Sequence, residues 1–257
     1  NASAIVALSP QMRQGIESVG VPASLIATIP NACDFDVFGH SDEAANSFLE
    51  SRPHLIGRPF ILYPGTFGDV NGLDYAILLA ERLKVNKSNV ALLLVGDGKQ
   101  RDQLLRSANE KGVLGTTLFF EDPVPKSHAR GMFSAASCVA NFVAPVPALY
   151  GNSANKFFDG LAAGKPILLN YDGWMSTVVV QNNCGLETSK LDFGEAANLI
   201  HLRLNDKEWM ERASDNARTV ALAHFSRDTL VSQVDSVICA VAAGNPHKAG
   251  EIATGRY

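Results

Sequence analysis

Phe60-Ile61-Leu62-Tyr63 runs straight into Pro64-Gly65-Thr66-Phe67-Gly68, and the same device returns after a helical pattern over Leu73–Leu83. There it reads Ala91-Leu92-Leu93-Leu94-Val95, then Gly96-Asp97-Gly98. A short, wholly apolar run followed by a glycine-bearing loop and a helix is the pattern of parallel strands covered on both faces. Runs at Ile5–Leu8, Leu25–Ile29, Thr117–Phe120, Cys138–Val143 and Pro166–Leu169 extend the series. Helical patterns at Pro10–Val19, Arg101–Lys111, Lys126–Ala135 and Ala154–Ala163 separate them. After Glu195 the pattern is helical throughout, over Glu195–Leu204, Lys207–Ala223 and Arg227–Ala242. From Gly244 the chain reads as a frayed tail. The expectation is an α/β fold: a doubly wound parallel sheet, Rossmann-like, with a helical C-terminal cap.

Composition narrows the function. The chain has 257 residues, 46% hydrophobic and 19% charged, which excludes collagen, low-complexity and disordered classes. A chain of this length buries about three quarters of its unfolded surface, so it needs neither disulfide nor metal to fold. Its net charge of −4 gives no sign of a nucleic-acid partner or an anionic membrane. Cys33, Cys138, Cys184 and Cys239 stand far apart without any C-x-x-C, and read as buried free thiols in a reducing compartment. The six histidines are scattered and read as structural. No apolar run approaches the roughly 18 residues of a spanning helix. The opening Asn1-Ala2-Ser3, followed at once by a strand, reads as a cut through something longer.

In such sheets ligands bind outside the carboxyl ends of the strands, where loops enter helices. Amides around Gly65 and Gly68 could approach an anion there, yet G-x-G-x-x-G spacing is met neither at that loop nor at Gly96-x-Gly98. On spacing alone, helix-entry turns needing glycine are the simpler reading. Gly151-Asn152-Ser153-Ala154-Asn155-Lys156-Phe157-Phe158-Asp159 is more informative. Asn152 or Ser153 can cap a helix that Gly164 and Pro166 end, leaving first-turn amides aimed at the loop mouth. Asp159 lies about 9 Å further along that helix at 1.5 Å per residue, the reach from a diphosphate to its ribose hydroxyls. A carboxylate accepts from both hydroxyls of a diol. Asn155 and Lys156 can share its face. A capped helix with a surface Asp159–Lys156 pair explains the same residues, and both readings stay open.

The order of these motifs resembles the C-terminal, nucleotide-binding half of retaining glycosyltransferases of family 4, which have the GT-B fold. The similarity spans Val6 to about residue 240. Ser9-Pro10-Gln11-Met12, Ile29–Asp34 and Val37-Phe38 are similar to that family's interdomain crossing segment. Leu94–Gly98 is similar to its strand-turn at the nucleotide, Phe120–Lys126 with Ser134–Ala136 to its base-holding loop and helix, and Asp159–Pro166 to its donor helix. Three positions depart from the family. Gly151 stands where it usually has the first of two glutamates, and Thr66 and Asn71 stand where it has an Arg and a Lys. The Asn152–Asp159 segment most resembles a branch that builds surface polysaccharides.

The resemblance implies a nucleotide-sugar donor, with uridine diphosphate favoured. Its site residues would be Gly65, Thr66, Asn71, Gly96, Gly98, Val124, Lys126, Asn152, Ser153, Ala154, Asn155, Lys156 and Asp159. It implies no metal or other cofactor, since no Asp-x-Asp pair stands in the donor loops. It also implies a saccharide or lipid-linked acceptor held by an N-terminal domain that is not in this chain. The expected organisation is a crossing remnant over 1–35, a donor-binding domain over 36–225 and a returning helix with its tail over 226–257. Such a half would be inactive alone. The enzyme is expected in the cytoplasm, with peripheral attachment at the inner membrane face open to the full-length protein. The competing readings are a degenerate, non-catalytic binding domain and a sugar-nucleotide epimerase on the same fold.

Overall fold

The computed structural model describes residues 2–125 and 128–255. β1 (Ile5–Ala7), α1 (Pro10–Ser18) and β2 (Ile26–Thr28) form a small unit in which the two strands pair in parallel, Ile5 opposite Ile26. The short helices α2 (Phe35–Phe38) and α3 (Asp42–Glu50) then lead to the main sheet. Its strands and helices alternate: β3 (Phe60–Pro64), α4 (Asp74–Val85), β4 (Ala91–Val95), α5 (Arg101–Glu110), β5 (Leu118–Glu121), α6 (Ala129–Ala135) and β6 (Cys138–Asn141). The alternation continues through α7 (Asn155–Ala162), β7 (Ile167–Leu169), α8 (Trp174–Gln181) and β8 (Gly185–Glu187). The chain closes with α9 (Phe193–Leu204), α10 (Lys207–His224), α11 (Arg227–Ala242) and α12 (Ala249–Ile252).

The six strands of the main sheet are parallel, in the order β5-β4-β3-β6-β7-β8. Their apolar runs supply two cores at once, because successive side chains face opposite ways. Phe60, Leu62, Leu93 and Val95 pack with Phe133, Phe157 and Leu161 on one side. Ile61, Tyr63, Leu92 and Leu94 pack with Leu79, Leu83 and Ile200 on the other. Polar caps start many of the helices: the side chains of Ser9, Ser41, Asp192, Asp206 and Ser226 each accept from a first-turn amide. Among the described residues no helix is long and apolar enough to cross a membrane.

The doubly wound sheet and the helical C-terminal region are as expected. Two differences are informative. β8, α3 and α8 were not foreseen: β8 has one apolar residue in three, and α8 carries Val178-Val179-Val180, which has no helical period. The stretch from Gly244, expected to be a frayed tail, is folded through Thr254. Ala249 and Ala253 are buried with Ala27, Ile29, Leu230 and Val237, and the Ala253 carbonyl accepts from the Thr28 amide at 2.9 Å. A Cβ at Gly250 would stand 2.5 Å from the Ala23 carbonyl oxygen. Gly250 is what lets this backbone approach the 3-10 turn Ala23–Leu25, just before β2, so closely. Three cysteines are buried free thiols as expected, but Cys239 is exposed on α11.

Candidate functional site

The strand order reverses between β3 and β6, and loops diverge there to open a crevice at the carboxyl edge. A cleft of about 820 Å³ lies at that point. Main-chain hydrogen bonds build its floor. The Gly65 amide donates to the Val95 carbonyl at 2.9 Å, Phe67 to Asp97 at 2.9 Å, Gly96 to Glu121 at 3.0 Å and Gln100 to Phe67 at 3.0 Å. These bonds continue the sheet beyond its strands and bring the loops after β3, β4 and β5 to one level. Gly96 is required for it, since a Cβ there would run into the Gly65 carbonyl oxygen.

This zipper narrows which amides of the Gly65–Gly68 and Gly96–Gly98 loops could face an anion. Those of Gly65 and Gly96 donate to carbonyls, and that of Gly98 donates to its neighbour's carboxylate, Asp97 Oδ1, at 2.8 Å. The amides of Thr66 and Gly68 have no hydrogen-bond partner among the described residues. Asn71 lines the cleft and is tied into the loop. Its Nδ2 donates to the Thr66 carbonyl at 2.9 Å, beside the Tyr63 hydroxyl at 3.1 Å, and braces the loop.

The opposite wall is the start of α7. Ala154 is its N-cap and makes no side-chain capping bond, so Asn152 and Ser153 do not have the capping role expected of them. The Asn152 carbonyl accepts from Trp174 Nε1 at 2.7 Å, and its Nδ2 donates to the Leu149 carbonyl, which holds it away from the cleft. Ser153 and Asn155 are tied to Asn31: Asn31 Nδ2 donates to the Ser153 carbonyl and to Asn155 Oδ1, each at 2.7 Å. Asn155 thus has its Oδ1 bonded to Asn31 while it lines the cleft with Asp159. The helix N-terminus, uncapped by any side chain, presents its dipole and first amides to the cleft.

Lys156 reaches across from this helix. Its Nζ lies 4.9 Å from the centre of the Tyr63 ring, and a Cβ at Gly65 would touch its Cε at 3.1 Å. Burial pushes its pKa down to about 8, against the pull of the Asp159 carboxylate. Asp159 is half-buried, lines the cleft, and also raises the pKa of the Cys33 thiol, which burial already raises. Gly65, Thr66, Asn71, Gly96, Val124, Ala154, Asn155, Lys156 and Asp159 all line the one cleft. Gly98, Asn152 and Ser153 stand outside it, and Lys126 lies outside the described residues. Sequence reasoning missed Phe38, Met132 and Phe133, an apolar wall in which Phe38 and Phe133 meet edge-on at 4.9 Å. The apolar stripe of α6 was the available signal.

Residues 50–220 match the family model for glycosyl transferases group 1. The chain belongs to that family. It is 23% identical over 215 residues to a glycogen synthase of Mycobacterium tuberculosis, covering 84% of this chain and 50% of that protein. It is 22% identical over 207 residues to the alpha-D-kanosaminyltransferase of Streptomyces kanamyceticus, with 79% and 51% covered. The chain thus spans about half the length of the curated relatives it matches. Among solved structures, Anabaena Alr3699/HepE in complex with UDP and glucose superposes with a TM-score of 0.79 at 19% identity, over 93% of this chain and 64% of that one. The fold is the α/β architecture of these GT-B-type group 1 transferases.

An anion in this cleft would raise the Lys156 pKa from its value of about 8 in the free protein. Affinity for a diphosphate is therefore expected to be full below that value and to fall as pH rises through it. Titration calorimetry between about pH 6.5 and pH 9.5 reads this, with a Lys156→Met variant expected to lose the slope.

Proposed function

We propose that this chain is the donor-binding half of a retaining, family 4 glycosyltransferase. It takes a sugar nucleotide, uridine diphosphate being the favoured carrier, and passes the sugar to a saccharide or lipid-linked acceptor held by an N-terminal domain. The setting is surface polysaccharide or glycan assembly in the cytoplasm, with the full-length enzyme peripheral at the inner membrane face where its acceptor is a lipid. The observation that carries this reading is the convergence of the α7 N-terminus, Lys156 and Asp159 on the crevice where the strand order reverses. The UDP bound in the Anabaena neighbour accords with it.

In this reading the amides of Thr66, Gly68 and the first turn of α7 receive the diphosphate, and Lys156 neutralises the charge that develops as it leaves. Asp159 accepts from the ribose hydroxyls, and the base rests between Val124 and the Phe38–Phe133 wall. No metal is needed, because helix dipole and ammonium meet the diphosphate charge.

One observation favours a second reading, a degenerate binding domain. A Cβ at Gly151 would stand 2.7 Å from the Cβ of Gln11, so no side chain fits where the resemblance places a sugar-anchoring glutamate. Calorimetry separates the two. Uridine diphosphate is expected to bind at least about tenfold tighter than the monophosphate, with and without EDTA, since one phosphate forfeits about 1.5–3 kcal/mol of charge-assisted contact. Equal affinity for both, or loss with EDTA, contradicts the donor-site reading.

A further inference from the structure

A second cavity, of about 450 Å³, opens on the other side of the 3-10 turn Asp69–Asn71 from the nucleotide cleft. Val70 and Asn71 line the cleft, whereas Asp69 and Gly72 line the cavity, so the turn is a wall common to both. The wall is fixed. A Cβ at Gly72 would stand 2.6 Å from the Val143 carbonyl oxygen, and the Ala144 amide donates to the Val70 carbonyl at 2.9 Å. Gln100 and Lys99 both hold the Asp69 carboxylate.

The interior of the cavity is apolar and aromatic. Tyr75 and Phe193 stand 5.2 Å apart at 44°, with Leu78, Val143 and Pro145 beside them. The Tyr75 hydroxyl is committed to Thr188 Oγ1 at 2.7 Å, so the ring offers a ligand its carbon surface. Asn170 is likewise spent on both main-chain groups of Val143. Hydrogen-bonding groups free to meet a ligand are at the rim, where Asp74 and Ser189 are exposed to solvent. No Lys, Arg or His is among the described residues lining the cavity, Asp69 is already paired with Lys99 and Asp74 adds a carboxylate at the rim, so an anion finds no counter-charge there. The exposure of Asp74 leaves it hydrated and a weak trap for a cation. An aromatic wall with acceptors around its edge fits a neutral pyranose, which presents C–H groups on its faces and hydroxyls at its periphery. The volume is in the range that encloses a small ligand, about 300–1,000 Å³.

We propose that this cavity is a second, neutral-carbohydrate site, separate from the nucleotide cleft. The test is an amide NMR titration of the whole chain with methyl α-D-glucopyranoside and, separately, with its 2-acetamido-2-deoxy analogue, to about 50 mM, with uridine diphosphate present and absent. The proposal expects saturable shifts at Asp74, Tyr75, Thr188, Ser189 and Phe193 with at least one glycoside, whether or not the nucleotide is there. Phe193→Leu keeps an apolar filler and is expected to weaken binding at least about fivefold, with the thermal midpoint checked alongside. Tyr75→Phe removes the Thr188 bond but keeps the ring, and should preserve binding. No shifts at these amides with either glycoside would overturn the proposal. So would shifts from tetramethylammonium that match or exceed those from the glycosides, or an unchanged affinity in folded Phe193→Leu.

Discussion

Lys156→Met is expected to lower affinity for uridine diphosphate by about ten- to a hundredfold while leaving the denaturant midpoint unchanged or slightly raised. The lysine reaches over Gly65 from the uncapped start of α7, with its ammonium above the Tyr63 ring. A contact from such a group to phosphate is charge-assisted and contributes about 1.5–3 kcal/mol, which sets the range. In the folded protein the cost of burying this charge outweighs the pull of Asp159 on it. Burial has already pulled the Lys156 pKa down to about 8, so an apolar side chain of similar length removes a desolvation cost. Calorimetry beside a denaturation curve checks both halves. Affinity that stays level while the midpoint falls would make Lys156 a structural residue.

Gly96→Val is expected to cost on the order of 3 kcal/mol or more of stability and to abolish nucleotide binding in whatever fraction still folds. Its Cβ would run into the Gly65 carbonyl and stand 3.1 Å from the Phe67 ring, in the middle of the bonds that level the loops after β3, β4 and β5. Neither loop can retreat, because Phe67 is fully buried and bonded to Asp97 and Gln100. Gly15 is the control. Nothing lies within 4 Å of a Cβ there, it sits inside α1, and Gly15→Ala is expected to stabilise by about 0.5–1 kcal/mol. Thermal melts of the two variants compare them directly.

The main sheet was legible because its strands are buried on both faces and therefore wholly apolar, as Ala91-Leu92-Leu93-Leu94-Val95 is. β8 was not, since an edge strand of three residues with a single buried Leu186 carries no period. The C-terminal tail was misread for a different reason. Its Gly and Ala look like disorder one at a time, and their use appears only when β2 and α11 come beside them.

The site was legible to the level of the loop and less so to the atom. Lys156 and Asp159 stand in the expected cleft because helical spacing fixed their common face. Which glycine amide is free was not legible, because it depends on the carbonyl across the loop, here Val95 for Gly65 and Glu121 for Gly96. The bond from Asn31 to Asn155 was not legible either, since the two are more than a hundred residues apart in sequence.

An amide NMR titration with uridine diphosphate tests the central claim most directly. The account predicts the largest shifts at Thr66, Gly68, Asn155 and Lys156, where two loop amides and the first turn of α7 surround one cleft. Smaller shifts are expected along Val124 and Phe133. Saturation with shifts elsewhere and none at these four amides, or no response to the nucleotide at all, would contradict it.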